Sequence, residues 1–388
     1  MFEVSLMGSM PRGQELLKAR RDLAKERITQ AEYDQMIHTA TEAVVRLQEA
    51  YAVDYITSGE LSRDNYVSFI AEALGGVKMM SMSDLLPYIE DKKAYEEMLS
   101  ILDVPANSIK NAICVGPVKR RQPLVGGELD LLHELTDRPK KITLPGPYLV
   151  TRSMWLKGLS DQYYDSKEAL AVDVIQAFKE EIAAIQVRGV EIIQFDEPVL
   201  TEVVFSPGNT RTFMCASLSE KKDPTEELEF ATGLLQAVFQ TVDRAKSKVG
   251  LHVCRGNWSK DETILLTGPY TPLLDLFEAV AADIYFLEYS TDRAGSLGSL
   301  FEGHQLFERA SLGLGVMNPR QDETESAEAI IERAEELLNY LPAERILLNP
   351  DCGFATFAKK PVNSYPYIEE KLAVLQKVKE ELRARYES

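Results

Sequence analysis

Short apolar runs alternate with amphipathic helical stretches along the whole chain, and this alternation restricts the fold more than any other feature. The apolar runs are Val4–Met7, Val53–Thr57, Ile113–Val115, Lys141–Leu144, Val190–Phe195, Lys248–Val253, Ile284–Leu287, Ser311–Val316 and Arg345–Leu348. Between them lie helical stretches such as Gln30–Tyr51, Lys167–Arg188, Pro224–Ala245, Thr271–Ala281, Glu323–Leu341 and Tyr367–Tyr386. Ala329, Ile330, Ala334 and Leu337 form one apolar stripe at helical spacing. Strands that alternate with helices build βαβ units on a parallel sheet. About eight such units predict an α/β chain folded as a (β/α)8 TIM barrel. The expectation is a single domain over residues 1–388 with loop embellishments. A doubly wound open sheet is the second choice. No Gly-x-Gly-x-x-Gly follows the first strand, which argues against its dinucleotide-binding form. Asp91–Arg121 is the least regular stretch and suits a hairpin or other embellishment, while Ser217–Pro224 reads as an exposed loop.

With 388 residues, 45% of them hydrophobic, the chain can bury a large core. The net charge of −18 argues against nucleic acid or an anionic membrane as partner, because both need basic patches. No run of about 18 apolar residues is present, so no membrane span is expected. Met1–Gly8 lacks the basic start and long apolar core of a signal peptide and reads as a first strand. Cys114, Cys215, Cys254 and Cys352 are too few and too scattered for a disulfide framework, so a reducing cytoplasm is the expected location.

The chemically informative residues fall just after the strands. Gly8-Ser9 follows the first run, Ser58-Gly59-Glu60 the second, and Asp196-Glu197-Pro198 follows Val190–Phe195. His252 and Cys254 end the next strand, Glu288 ends Ile284–Leu287, Asn318 follows Ser311–Val316, and Cys352 follows the last strand. A barrel gathers all of these at its C-terminal rim, where such folds place their sites.

The chain has only four histidines and four cysteines, yet His252 and Cys254 stand two residues apart. Residues i and i+2 of a strand share a face, so both side chains can reach one ion. Cys352, at another strand end, completes an imidazole-plus-two-thiolates set of the kind zinc prefers. A buried cysteine is also often a small hydrophobe, so His-x-Cys alone is a weak signal. Glu288 is the candidate fourth ligand, with a salt-bridged or helix-capping carboxylate as the plainer reading. Two thiolates and a carboxylate more than neutralise a dication. Such a centre is poor at activating water and better suited to holding a substrate thiol as a nucleophilic thiolate. Glu60 and Asp196 are the candidate catalytic and substrate-binding acids, suited to an amino-acid ammonium group. Their plainer reading is pairing with Arg12, Arg255 or Arg320. Ser9 can offer its backbone amide to a substrate carboxylate. Asp64 and Asn65 can cap the helix that follows them.

These fragments resemble the C-terminal catalytic half of cobalamin-independent methionine synthase. The matching stretches are Met7-Gly8-Ser9-Met10-Pro11-Arg12, Ser58-Gly59-Glu60 with Asp64-Asn65, and Leu144-Pro145-Gly146-Pro147. Phe195-Asp196-Glu197-Pro198, His252-Val253-Cys254, Glu288 and Asn349-Pro350-Asp351-Cys352-Gly353 follow in the family's order. The resemblance implies a (β/α)8 barrel with zinc held by His252, Cys254, Glu288 and Cys352. It implies that Ser9, Glu60 and Asp196 bind the amino-acid part of homocysteine. The implied reaction moves a methyl group to the homocysteine thiolate and gives methionine. A methyl-folate donor also needs its leaving nitrogen protonated.

Three departures touch the donor side. The full-length enzymes carry an additional N-terminal barrel, whereas this sequence starts at the catalytic one. Ser153 stands where the family has an aromatic residue, with Trp155 two places on. The loop Gly315–Arg320 has Asn318 and no histidine where the family has a proton donor. The expectation is therefore a methylated corrinoid, or a corrinoid protein, as an alternative to methyl-folate. A zinc enzyme similar to the epoxyalkane:coenzyme M transferases is the main alternative, although a sulfonate thiol gives no reason for Glu60 and Asp196. A metal-free barrel similar to uroporphyrinogen decarboxylase, and a zinc-stabilised binding protein without turnover, are the remaining ones.

Overall fold

In the computed structural model, which describes residues 1–89, 92–93, 110–205, 223–359 and 361–387, seven parallel strands form one curled sheet. Its strands are β1 (Glu3–Val4), β4 (Lys141–Pro145), β5 (Ile192–Asp196), β6 (Lys248–Val253), β7 (Ile284–Glu288), β8 (Ser311–Met317) and β9 (Ile346–Pro350). Their order is β1-β9-β8-β7-β6-β5-β4, so each strand from β4 onward lies beside its successor and the chain winds one way round. Two further strands, β2 (Leu74–Ser81) and β3 (Lys110–Arg120), pair antiparallel in a separate sheet.

The expected strand Val53–Thr57 is reduced to single bridges. Tyr55 pairs with Ser5 and Ile56 with Lys140, both parallel, so this segment lies between the sheet's two edge strands. Asp54 donates its N–H to Val4 at 2.9 Å, and Ile56 donates to Pro139 at 2.8 Å. Lys141 donates its N–H back to the Ile56 carbonyl at 3.0 Å, and side chains take further positions. The Asp54 carboxylate accepts from Val4 N–H at 2.7 Å, and the Gln48 amide holds both the N–H and the carbonyl of Thr57.

The expected strand Ile113–Val115 exists, but inside β3 and outside the parallel sheet. Its partner β2 was not expected, because Leu74-Gly75-Gly76 gives a weak strand signal. Gly76 is required there: its φ is +76°, and a Cβ would stand 2.2 Å from the Pro117 carbonyl oxygen. Of the hairpin expected in 91–121, β3 supplies one strand and its partner β2 lies before that stretch; residues 91 and 94–109 lie outside the described residues. So do 217–222 of the expected exposed loop, whereas Asp223 caps the helix Pro224–Phe239.

The helices start where side chains can accept the free N–H groups of the first turn. Thr29 and Glu32 form a capping box on Gln30–Ala50, and Ser166 caps Lys167–Gln186. Ser326 caps Ala327–Leu337, which is why that helix begins four residues later than its periodicity suggests. Gln14–Leu23, Gly126–Leu135, Pro147–Met154 and Val199–Phe205 are helices without an expectation from sequence. Between sheet and helices, Phe195 packs against Phe178 and Phe239 at ring distances of 6.2 and 5.0 Å. Inside the sheet, Met7, Tyr55, Ile192, Ile284, Phe286 and Leu347 form a second apolar cluster. Each such buried side chain contributes about 1.5–3 kcal/mol. Among the described residues no helix is long and apolar enough to cross a membrane.

Candidate active site

His252 and Cys254 leave the end of β6 with one residue between them, and Cys352 follows the end of β9. The two strand ends bring the three side chains together, with all ligand atoms within 4.8 Å of one another. Cys352 Sγ lies 3.9 Å from His252 Nε2, and all three residues are buried. His252 Nδ1 meets Asp196 Oδ1 at 2.9 Å. That carboxylate takes the Nδ1 proton, the usual support of a metal-ligating histidine, while Nε2 faces the sulfurs and meets the Asp351 carbonyl at 3.2 Å. Burial opposes the charged imidazolium, but the hydrogen bond and charge of Asp196 outweigh it and raise the His252 pKa to about 9.

The cysteines act as a pair. A hydrogen bond from Cys352 pushes the Cys254 thiol down, and the same bond together with burial pushes Cys352 well up. The pair thus retains one proton where a dication would take two thiolates. An imidazole nitrogen and two sulfurs, buried and converging, fit a zinc-type ion in donor chemistry and spacing.

Glu288, at the end of β7, stands beside this group rather than within its three-residue cluster. Its Oε2 accepts the Arg255 backbone N–H at 2.8 Å, and its Oε1 lies 3.4 Å from Arg320 Nη1. The salt-bridged reading therefore holds in this structure. Its charge nevertheless reaches both cysteines and raises their thiols.

Ser9, Glu60, Asp196, His252, Cys254 and Cys352 all line one cavity of about 70 Å³. Glu60 enters it in a left-handed conformation, φ +55°, which is costly for a non-glycine residue and common at functional sites. Its Oε1 accepts from Thr143 Oγ1 at 2.6 Å and lies 3.6 Å from Arg63 Nη1. Burial raises the Glu60 pKa; Arg63 opposes this and the Asp196 charge adds to it. Arg63 is itself fastened to Glu128 at 2.6 Å. None of the three arginines named from sequence pairs with the Glu60 carboxylate. Arg12 donates to backbone carbonyls, including that of Glu60 at 2.7 Å, while Arg255 and Arg320 face Glu288. Ser9 is held against the last loop, its carbonyl accepting from Phe354 N–H at 3.0 Å. Asn65 caps a short turn through the N–H groups of Val67 and Ser68, and Asp64 pairs with Arg20 at 3.4 Å.

Several motif residues turn out to be supports. Glu197 caps the helix Pro147–Met154 by accepting from Tyr148 and Leu149 N–H. Its carboxylate fills the space a Cβ at Gly146 would need, 2.0 Å away. Asp351 accepts from the Tyr289 and Ser290 N–H groups at 3.1 Å each and faces Arg320, tying the Cys352 loop to the end of β7. Asn257 donates to the Gly353 carbonyl at 2.8 Å from the facing loop. Neither Ser153 nor Trp155 lines the cavity; its aromatic wall is Trp258, Tyr66 and Phe357. The amide nitrogen of Asn318 donates to Glu262, and its oxygen accepts from Arg320 N–H.

Residues 2–365 match the family described as cobalamin-independent synthase, catalytic domain. The chain belongs to this family. Two curated relatives are 5-methyltetrahydropteroyltriglutamate–homocysteine methyltransferases. The Thermotoga maritima protein is 24% identical over all of this chain and 45% of its own length. The Bacillus licheniformis protein is 25% identical over 92% of this chain and 40% of its own. The chain thus spans less than half of each. A B12-independent methionine synthase structure from Shewanella sp. W3-18-1, bound to selenomethionine, superposes with a TM-score of 0.70 at 20% identity. That match covers 99% of this chain and 98% of the other, and it establishes the shared fold. A methyltransferase from Methanosarcina mazei gives a TM-score of 0.51 at 18% identity, covering 98% of this chain and 94% of that one.

Proposed function

We propose that this chain is a zinc-dependent methyltransferase that forms methionine from homocysteine. In this reading residues 1–388 are one domain, and the bridged segment 54–56 serves as the eighth strand of a (β/α)8 barrel. The observation that carries the reading is the single cavity with two kinds of wall. Ser9, Glu60 and Asp196 supply carboxylates and a backbone amide; His252, Cys254 and Cys352 supply metal donors.

The residues act as follows. Glu60 and Asp196 receive the ammonium group, which relieves the mutual repulsion that helps raise Glu60. The Ser9 amide receives the carboxylate. His252, Cys254 and Cys352 would hold zinc, with Glu288 beside them as the candidate fourth donor. Zinc, when bound, would keep the substrate sulfur ionised near neutral pH while leaving it nucleophilic. The S–CH₃ bond forms as the bond from methyl to its donor atom breaks, and the electron pair leaves with the donor. A folate nitrogen leaving in this way needs a proton. Over the reaction that proton is the one the homocysteine thiol gives up; Asn318, an amide already engaged with Glu262 and Arg320, is not its carrier.

The relatives' names carry a methylated pteroyltriglutamate, and we take that as the donor. The corrinoid donor expected from sequence finds no support in them. A coenzyme M-type thiol would bring a sulfonate against Glu60 and Asp196, and no observation favours it. The test is zinc-edge absorption spectroscopy of the metal-loaded protein during titration with homocysteine. One added sulfur neighbour is expected; an unchanged zinc environment refutes the acceptor. Turnover with methyl-folate, compared with a methylated corrinoid, then decides the donor.

A further inference from the structure

We propose that Lys141 and Gln194 are positioning residues of the metal centre, acting through Asp196 to fix the orientation and tautomer of His252. This rests on the metal site proposed above. The two residues lie on neighbouring strands, β4 and β5, inside the sheet and below the cavity. Lys141 Nζ donates to Gln194 Oε1 at 2.8 Å, and Gln194 Nε2 donates to Asp196 Oδ1 at 2.8 Å. The same Oδ1 meets His252 Nδ1 at 2.9 Å. An unbroken line of hydrogen bonds thus runs from the interior of the sheet to the imidazole.

The direction of that line is fixed at its buried end. The Met7 carbonyl can only accept, so it requires the amide nitrogen of Gln194 and leaves the amide oxygen to Lys141 Nζ, charged or neutral. The amide nitrogen must then face Asp196 and the Met7 carbonyl, to which it also donates at 3.1 Å. Reversing the amide would set its oxygen against both Asp196 Oδ1 and the Met7 carbonyl, two repulsions at once. Gln194 therefore has one state, and Asp196 Oδ1 is kept as an acceptor toward Nδ1–H. Nζ also lies 4.5 Å from the Phe286 ring, and the charges of Asp196 and Glu60 favour its ammonium form against the cost of burial.

The test is cobalt(II) titration of the metal-free protein, with affinity read by chelator competition and geometry by the d–d absorption band. Lys141→Met and Gln194→Leu are each expected to weaken cobalt binding about 10–100-fold, as loss of such support does elsewhere, and to shift the band. The double variant should be no weaker than the worse single one, because both act along one line. Gln194→Glu keeps a partner for Lys141 and the same shape, so it tests the idea even if the other two fail to fold. It turns an acceptor toward Asp196 and is expected to weaken binding at least as much. Wild-type affinity and spectrum in Gln194→Glu, or in both single variants, overturn the proposal while leaving the metal site intact. A wild-type protein that binds no cobalt overturns the metal site and, with it, this proposal.

Discussion

Replacing Lys141 by methionine gives a pH-dependent change in stability whose sign and size follow from the structure. Burial lowers the lysine pKa from its ordinary 10.5 to about 7, although Asp196 and Glu60 pull the other way. The folded value thus lies below the unfolded one. Between these values the unfolded chain holds a proton that the native chain lacks, so native stability rises with pH. At 1.36 kcal/mol per unit the whole window is worth about 5 kcal/mol, and the part from pH 7 to 9 about 2 kcal/mol. Urea unfolding of metal-free wild type and Lys141→Met across that range isolates this residue, because every other titrating group is common to both. The wild type should gain about 2 kcal/mol relative to the variant between pH 7 and 9. A difference that stays flat, or that falls, refutes the reading that burial drives Lys141 toward the neutral amine.

Four further outcomes are expected. Cys352→Ser should reduce bound zinc from near one per chain to near none, measured by metal analysis after dialysis; retained zinc removes Cys352 from the ligand set. Glu60→Gln should raise the KM for homocysteine about 10–100-fold with little change in kcat, the cost of one charge-assisted contact. An unchanged KM would show that the ammonium group binds elsewhere. Gly8→Ala should destabilise by about 1–3 kcal/mol or more, because φ there is +134° and the new Cβ would stand 2.2 Å from Glu60 Oε1. Thermal denaturation checks it, and an unchanged midpoint contradicts the packing. Arg63→Met should cost about 3–5 kcal/mol in urea unfolding by leaving Glu60 and Glu128 buried without their cation; a loss below 1 kcal/mol rejects that pairing as structural.

Much of the site was legible because its residues stand at strand ends, where two simple periodicities meet. His252 and Cys254 were readable from their i, i+2 spacing, and Cys352 from the apolar run before it. What joins them was harder to read, since Cys352 reaches His252 only through the order of the sheet. The supports were less legible still. Gln194 interrupts the apolar run Ile192-Ile193-Gln194-Phe195, and Lys141 opens a fully buried strand. A polar residue inside such a run was the available signal, but its partner lies on another strand. Arg63 gave no pattern, and Arg320 faces Glu262, Glu288 and Asp351 rather than the expected Glu60 or Asp196, because an arginine's partners depend on which carboxylates the fold brings to it. The short strand Glu3–Val4 and the bridges at Tyr55 and Ile56 fell short of their apolar runs because Asp54 and Gln48 took over the pairing.

That substitution of side chains for ladder has a mechanical consequence. The wall formed by Ser5, Tyr55, Ile56 and Lys140 is stitched at isolated points, whereas β6 through β9 are laced along their length, with one shift of register between Gly315 and Met317. Ser9 and Glu60 hang from the loosely stitched side; the sulfur and imidazole donors hang from the laced one. Local opening should therefore begin on the wall below Glu60, while the strands that carry the ion's cradle stay closed. Amide exchange along 54–57 would run faster than along 249–253.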